Sequence, residues 1–281
     1  MHRMFFSLGL ALATTLQLGT VWAGSDVVIG RSAPSNERVS MDQTDHRDWD
    51  ALLRKYCDTN GMVNYQAWHR ARQDRQRLEA YLARLSAADP NRAAAGAAKM
   101  AFWINAYNGV TIHGILREYP TTSIRNHTAK VFGYNIWDDL LLRVGDRTYS
   151  LNQMEHDVLR KMGDPRIHFA IVCASIGCPP LLNGAYLPQQ LDNQLTSNAR
   201  RFFSDRKKFR YDASKRTMEL SPILKWFSED FGADRAAQLR TIAPYLPDQS
   251  AQAVAASGQA SISYLDYDWG LNDQATQSRQ P

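Results

Sequence analysis

The residues best suited to chemistry lie at positions 166–181, where an apolar segment leads into a loop that holds Cys173 and Cys178. The chain has three cysteines, and two of them are in this loop. Pro179-Pro180 follows at once and restricts the backbone at the exit of the loop. Any thiol chemistry is therefore expected at this stiff loop.

Cys178 is the stronger candidate for a nucleophile, because it lies beyond the turn of the loop rather than in the apolar segment. A thiol becomes nucleophilic when a nearby base or cation favours its thiolate form. His168 and His156 are the candidate bases, and Asn108 or Glu155 could orient the base or donate to an oxyanion. This set predicts a thiol-dependent hydrolase or acyl transferase.

The two cysteines also fit a disulfide, which an exported protein forms readily if the Cα atoms come within about 7 Å. The alternative function is then a non-catalytic binding or structural domain. Inert or redox-active thiols are a third interpretation, although the spacing differs from the Cys-x-x-Cys of thioredoxin-like motifs. A zinc site of Cys173, Cys178, His156 and His168 would need a spacing unlike the usual structural motifs. We predict no metal and no cofactor.

Residues 167–172 are apolar enough for a strand that is buried on both faces. Side chains alternate along a strand, so His168 and Cys173 are expected to point in opposite directions. Cys178 is free of this alternation because a turn separates it from the strand. A pair of Cys178 with a histidine is therefore favoured over a pair of Cys173 with His168.

Asn105 and Asn108 share one side of a helix predicted at residues 93–118, which is apolar nearly all round between residues 102 and 116. A buried amide without a partner costs about 1–3 kcal/mol. Both side chains must therefore bond to backbone, to a loop or to a substrate. We expect them to pin an irregular segment, and the cysteine loop is the natural candidate.

Other polar residues complete the predicted site. Glu155 borders the apolar stripe of a helix predicted at residues 151–162, where a cation such as Arg166 is its expected partner. Asp268 could hold a histidine in the correct tautomer. Ser175 lacks the Gly-x-Ser-x-Gly context that exposes a serine nucleophile. The residues expected to contribute to binding are Asn105, Arg166, Cys173, Ser175 and Asp268.

The rest of the pattern mixes helices with short strands. Helical spacing occurs at residues 49–56, 68–85, 188–203, 222–231 and 234–245. Strand-like pieces occur at residues 130–132, 140–144, 148–149, 209–211, 217–220 and 261–267. Their segregation along the chain favours an α+β fold, a helix-rich single domain with the buried central helix packed on a small, mostly antiparallel sheet.

Four segments are predicted along the chain. Residues 1–23 have the basic start, apolar stretch and small terminal residues of a signal peptide. Residues 24–45 read as a flexible linker, 46–272 as one globular domain and 273–281 as a disordered tail. No later segment is long and apolar enough to span a bilayer. We therefore expect an exported, soluble, periplasmic protein.

The charge of the chain argues against nucleic acid as a partner. Its 33 basic and 28 acidic residues leave only a small positive excess. The short basic clusters at residues 200–201 and 206–208 are typical of solvated faces. We expect the partner to be an unknown ligand or a component of the cell envelope.

Several short motifs occur in a characteristic order. They are the turn Gly61-Met-Val-Asn-Tyr65, Asn105-Ala-Tyr-Asn108, Glu155-His156, Pro165-Arg-Ile-His168, the cysteine loop and Tyr267-Asp-Trp-Gly-Leu-Asn272. Together they resemble the domain of unknown function 547 family over about residues 45–273. The resemblance implies no settled activity. Its members commonly have glycine where Ala174 stands, a departure expected to restrict the turn only slightly.

The resemblance also implies a set of characteristic positions. They are Asn105, Asn108, Glu155, His156, Arg166, His168, Cys173, Cys178 and Asp268.

Overall fold

A computed structural model describes residues 26–128 and 135–277. Its helices and two small sheets confirm the α+β class. The predicted signal peptide at residues 1–23 and the strand-like piece at residues 130–132 lie outside the described residues. No helix within the described part of the chain is long and apolar enough to cross a membrane.

The first half of the fold consists of four helices and one sheet. These elements are β1 (Val27–Ile29), α1 (Arg47–Tyr56), α2 (Tyr65–Arg70), α3 (Arg72–Leu85), α4 (Gly96–Glu118), β2 (Leu140–Val144) and β3 (Arg147–Tyr149). The strand order is β1-β2-β3, with β1 parallel to β2 and β3 antiparallel to it.

The second half contains shorter helices and a second sheet. Its elements are α5 (Leu191–Ser204), β4 (Phe209–Asp212), β5 (Thr217–Leu220), α6 (Ile223–Trp226), α7 (Ser228–Phe231), α8 (Arg235–Ile242), α9 (Gln249–Ser257), β6 (Ser261–Tyr264) and α10 (Gln274–Gln277). Between the halves lie a π-helical segment at Gln153–Leu159 and 3-10 turns at Arg160–Met162 and Pro165–Phe169. Further 3-10 turns occur at Ser35–Glu37, Met41–Gln43, Ile124–His127 and Ala243–Tyr245.

The sheets differ from the single, mostly antiparallel sheet that the sequence predicts. In the second sheet β4 runs antiparallel to β5, while β6 runs parallel to it with Met218 opposite Ile262. Each sheet is therefore mixed. In each, the parallel strand comes from a segment distant in sequence, and no local hairpin signal marks such a pairing.

The central helix α4 is buried along most of its length, as its apolar sequence predicts. It ends before Tyr119, whose backbone is extended because a proline follows. One cluster of buried side chains surrounds α4, and a second packs between α5 and the second sheet. Ile167 belongs to the first cluster and Phe169 to the second, so the segment that leads to the cysteines lies between the two cores.

Parts of the predicted linker and tail pack against the rest of the fold. In the linker, Met41 is buried and the Val39 amide donates to the Ala87 carbonyl at 2.9 Å. In the tail, Asp273 is buried and accepts a hydrogen bond from the Tyr119 hydroxyl at 3.0 Å. The linker docks through the short strand β1 and through scattered contacts, and neither produces a hydrophobic period.

Candidate functional site

Residues 167–172 do not form the strand that their apolar pattern predicts. Asp164 caps a 3-10 turn at Pro165–Phe169, since its carboxylate accepts a hydrogen bond from a backbone amide of the turn at 2.9 Å. An aspartate cap followed directly by proline favours a helical turn. The expected alternation therefore does not apply, and His168 and Cys173 line the same cleft.

Two asparagines of α4 hold irregular backbone on either side of the two cysteines, Asn108 directly before Cys173 and Asn105 beyond the loop. Asn108 donates to the Ala170 carbonyl at 3.0 Å and accepts from the Val172 amide at 2.8 Å. Asn105 makes the equivalent pair of bonds with Tyr186, at 2.8 and 2.9 Å. Both amides thus pin irregular backbone, as the sequence predicts. Neither lines the cleft, so this placement does not support Asn108 as an oxyanion donor.

The other side of the loop pairs with the C-terminal motif. The Gly177 amide donates to the Asp268 carbonyl at 2.8 Å, and the Asn272 amide donates to the Ala174 carbonyl at 3.0 Å. Ala174 has a φ of +57°, a conformation that favours glycine. Alanine at position 174 therefore strains the turn more than the slight restriction expected from the family resemblance.

Cys173 and Cys178 form a disulfide, with their Cα atoms 6.3 Å apart. Of the alternatives that the sequence left open, the bridge is the one present. In this state Cys178 has no thiolate, so it cannot act as the predicted nucleophile. Cys57, the third cysteine, is buried, and burial raises its pKa to about 12. It packs as a small apolar side chain.

Three hydrogen-bond donors lie near the Cys178 sulfur, and two of them, the Ser175 and Tyr267 hydroxyls, are also 3.1 and 3.3 Å from the Cys173 sulfur. The three donors are the Cys173 backbone amide at 3.0 Å, the Tyr267 hydroxyl at 3.2 Å and the Ser175 hydroxyl at 3.4 Å. The two hydroxyl oxygens lie 2.8 Å apart. Burial raises the pKa of Tyr267, so its phenol keeps its proton at neutral pH. Although Cys178 is only 4% exposed, these donors give its sulfur a polar environment.

His168 is held by Asp230. The Nε2 atom of His168 lies 2.6 Å from Asp230 Oδ2, and its ring stacks on Phe227 with 4.2 Å between centroids. Burial lowers the pKa of His168 to about 4, which outweighs the attraction of the carboxylate, and the charge of Arg160 lowers it further. Neutral His168 thus donates its Nε2 hydrogen to Asp230 and leaves Nδ1 as an acceptor.

Glu155 lies on the π-helical segment, where it is buried and faces the cleft. The Tyr107 hydroxyl donates to Glu155 Oε2 at 3.2 Å. Burial raises the pKa of Glu155 to about 7, although Tyr107 and Arg160 both act to lower it. Near neutral pH this side chain can therefore either donate or accept a hydrogen bond.

The predicted ion pair of Glu155 with Arg166 is wrong. Arg166 bonds to Asp164 and to Asp192, each at 2.7 Å. Asp164 caps the same turn, which places its carboxylate within reach of the guanidinium. His156 lies beside Arg160, with its Nδ1 atom 3.0 Å from Arg160 Nη1.

These groups line one open cleft of about 340 Å³. Its polar lining includes the disulfide, Glu155, His156 and His168. Its aromatic lining consists of Tyr107, Trp137, Trp226, Phe227, Tyr267 and Trp269. Apolar walls with a few polar groups are typical of small-ligand sites. Within residues 26–128 and 135–277, no group of three or more His, Cys, Asp or Glu side chains could hold a metal ion.

The part of the chain that carries α4 and the cysteine loop also has a recognisable family signature. Residues 92–203 match the family described as Protein of unknown function, DUF547. No curated protein and no solved structure matches the chain. The DUF547 match includes Glu155, His168 and both bridged cysteines, but it ends before Asp230 and Tyr267. The site therefore depends on contacts from outside the matched region.

Asp268 does not take part in the cleft. It is exposed, and its Oδ1 atom accepts from the Gly270 amide at 2.8 Å. Its neighbours Tyr267 and Trp269 line the cleft instead. Side chains alternate along an extended segment, so the sequence places Tyr267 and Trp269 on the face opposite Asp268 and contained a signal for them.

Asp230 and Phe227 are the contacts that sequence reasoning missed. Both follow the predicted helix start by a few residues, and nothing in their spacing links them to His168. Only the packing of α6 and α7 beside the 3-10 turn at Pro165–Phe169 brings these side chains together.

Proposed function

We propose that this chain is an exported binding protein that takes a small ligand into the cleft beside the Cys173–Cys178 disulfide. The bridge carries this proposal, because it occupies the position at which a thiol hydrolase would need a free thiolate. The remaining groups of the cleft can bind a molecule without reacting with it. Of the two functions that the sequence predicts, the geometry supports the non-catalytic one best.

The cleft offers two kinds of recognition. Trp226 is 48% exposed at its rim and stacks with Trp269 at 5.9 Å between ring centroids, which provides a flat apolar surface. Deeper in the cleft, Glu155 and His168 offer hydrogen-bonding atoms in a setting of low polarity. A small planar molecule with one polar edge suits both features.

Two observations support export. Residues 1–23 have the composition of a signal peptide. The disulfide between Cys173 and Cys178 fits an oxidising compartment such as the periplasm, since such bonds are rare in the cytosol. Expression of the full chain with N-terminal sequencing of the product tests this part. Cleavage between residues 23 and 24 is expected, and an intact N-terminus in the cytoplasm would reject it.

Ligand binding is tested with a fragment library of small planar acids, amides and phenols, screened by ligand-observed NMR on the oxidised protein at pH 7. Fragments that bind in the cleft should lose affinity at least several-fold in Trp226→Ala. Tyr264→Ala is the matched control, because Tyr264 is also an exposed aromatic residue, at 41%, but does not line the cleft. If no fragment binds, or if both variants lose binding equally, the proposal is rejected.

A second candidate function is a thiol hydrolase that works only after reduction. It is favoured by one observation, that Cys178 and His168 line the same cleft while Asp230 orients the histidine. Reduced protein should then hydrolyse p-nitrophenyl acetate in repeated turnovers, and Cys178→Ser should abolish them. A single stoichiometric burst, or equal rates in both proteins, would exclude this activity.

A further inference from the structure

The two sulfurs of the bridge differ in their surroundings. Cys173 is half-buried, whereas Cys178 is 4% exposed. Both line the cleft, which is open to solvent. A thiol–disulfide exchange reaction begins when an incoming thiolate reaches one sulfur and expels the other. Access therefore favours attack at Cys173, with Cys178 as the leaving group.

The leaving sulfur has donors in place to stabilise its charge. The Cys173 amide, the Tyr267 hydroxyl and the Ser175 hydroxyl all lie within 3.4 Å of the Cys178 sulfur. The two hydroxyls also lie 3.3 and 3.1 Å from the Cys173 sulfur, so only the backbone amide distinguishes Cys178. Each hydroxyl has one hydrogen. The Ser175 and Tyr267 hydroxyls can therefore both donate to the Cys178 sulfur only when the hydrogen bond between them is broken. A thiolate is the stronger acceptor, and hydrogen bonds to a charged form lower its pKa.

We propose that the Cys173–Cys178 bridge is a redox-active disulfide that exchanges with an external dithiol through attack at Cys173. The sequence left redox-active thiols open as one interpretation of the two cysteines, and the exchange proposed here stands apart from the binding of a ligand to the oxidised cleft.

The reaction balances with a dithiol as the reductant. One thiolate of the dithiol attacks the Cys173 sulfur, the bond between the two cysteines breaks, and Cys178 leaves as a thiolate with the electron pair. The second thiol of the reagent, as its thiolate, then attacks the reagent's own sulfur in the mixed disulfide and expels Cys173. Two electrons and two protons pass to the protein, and the reagent becomes a disulfide.

The fold does not need the bridge to hold the loop. Asn108 already pins the backbone before Cys173, while Asn198 donates to the Pro180 carbonyl at 2.9 Å beyond Cys178. The two cysteines are five positions apart, and such a short loop gains little chain-entropy stabilisation from a cross-link. The bridge can therefore open while the surrounding contacts remain.

The site of attack is tested on the folded wild-type protein with glutathione, followed by acid quenching and peptide mass spectrometry. The expected mixed disulfide lies on Cys173. An adduct found mainly on Cys178 overturns the proposed direction. A bridge that dithiothreitol reduces only after unfolding in guanidinium overturns the exchange activity itself.

The role of the donors is tested in Cys173→Ala, which leaves Cys178 as a free thiol. Its pKa, taken from the pH dependence of iodoacetamide labelling at that peptide, should lie below the usual value of about 8.5. Adding Tyr267→Phe should raise this pKa by about one unit, and Tyr264→Phe is the matched control without effect. A thiol pKa at or above the usual value, or one that Tyr267→Phe leaves unchanged, contradicts the stabilised leaving group.

A second measurement tests the role of the donors without the Cys173→Ala change, in case that variant folds poorly. In the wild-type background, Ser175→Ala and Tyr267→Phe should each slow reduction by dithiothreitol several-fold while circular dichroism remains native. Equal rates in both variants and the wild type contradict the proposal. Fragment binding is measured on the oxidised protein without a thiol, so the ligand-binding proposal can fail while exchange succeeds, and the reverse.

Discussion

The Nε2 atom of His168 lies 2.6 Å from the Oδ2 atom of Asp230, although 62 residues separate them in the sequence. The same carboxylate oxygen lies 2.6 Å from Arg160 Nε. Asp230 on α7 therefore joins the 3-10 turn at Pro165–Phe169 to the 3-10 turn at Arg160–Met162. Because His168 is neutral when folded, this contact also fixes its tautomer.

The first prediction concerns the charge of His168. Nitrogen NMR of the wild-type protein should show a neutral ring with hydrogen on Nε2 at pH 6, since burial lowers its pKa to about 4. Asp230 acts to raise this pKa, so Asp230→Asn should lower it further. Glu229→Gln is the matched control, because Glu229 also pairs with Arg160 but is exposed. A higher pKa in Asp230→Asn would contradict the assignment.

The second prediction is a pH-dependent gain in stability for Glu155→Gln. The folded pKa of Glu155 is raised from 4.5 to about 7, so its protonated form favours the folded state. This contribution is complete below pH 4.5 and is lost as the pH rises through 7. Glu155→Gln should therefore raise the free energy of unfolding by about 1–3 kcal/mol at pH 8.

Urea titrations at pH 8 and pH 4.5 measure this difference. The gain should be nearly absent at pH 4.5, where the carboxyl group is protonated in the folded state and half protonated in the unfolded state. Asp157→Asn is the control on the same segment, because Asp157 is exposed. A gain of the same size at both pH values would show that burial of the charge is not its cause.

The third prediction concerns the pinning of the loop. Asn108→Ala removes the partner of one buried carbonyl and one buried amide, so it should cost about 2–4 kcal/mol of unfolding free energy. Asn193→Ala, at an exposed position of α5, should change it by less than about 0.5 kcal/mol. Chemical denaturation measures both. Similar small effects would mean that the loop holds its shape without Asn108.

The fourth prediction concerns a close approach at Gly61. This residue has a φ of +81°, and a Cβ there would lie 2.5 Å from the Leu181 amide nitrogen. Gly163 has a similar φ of +74° with open space around it. Gly61→Ala should therefore be less stable than Gly163→Ala by about 2 kcal/mol, since only the first adds a clash to the backbone strain. Equal melting temperatures would show that the loop exit can move away.

Local signals predicted several parts of the site. The polar pair Asn105 and Asn108 on an otherwise apolar helix indicated that irregular backbone must lie against it, because buried amides need partners. The pattern Ser150-x-x-Gln153 is typical of a capping box, and its two reciprocal hydrogen bonds are 2.9 and 3.2 Å long. The spacing of Cys173 and Cys178 allowed a bridge but could not choose it over free thiols.

The incorrect predictions came from sequence patterns that are compatible with more than one local structure. An apolar run such as residues 167–172 fits a buried strand and a buried turn equally well, and here the Asp164 cap selects the turn. The predicted ion pair between Arg166 and Glu155 was wrong because Arg166 pairs instead with Asp164, which caps the same turn. The polar segments at both ends of the domain show no hydrophobic periodicity in the sequence, because they dock through a short strand and scattered contacts.

The α+β class, the buried central helix and the stiff loop with two cysteines could all be predicted from the sequence, since each depends on local composition and spacing. The contact of His168 with Asp230, the approach of the Tyr267 hydroxyl to the Cys178 sulfur and the bridge between the two cysteines arise only from the packing of distant segments. A side chain forms a hydrogen bond only within about 3 Å of its partner, and folding can bring to that distance residues from anywhere along the chain.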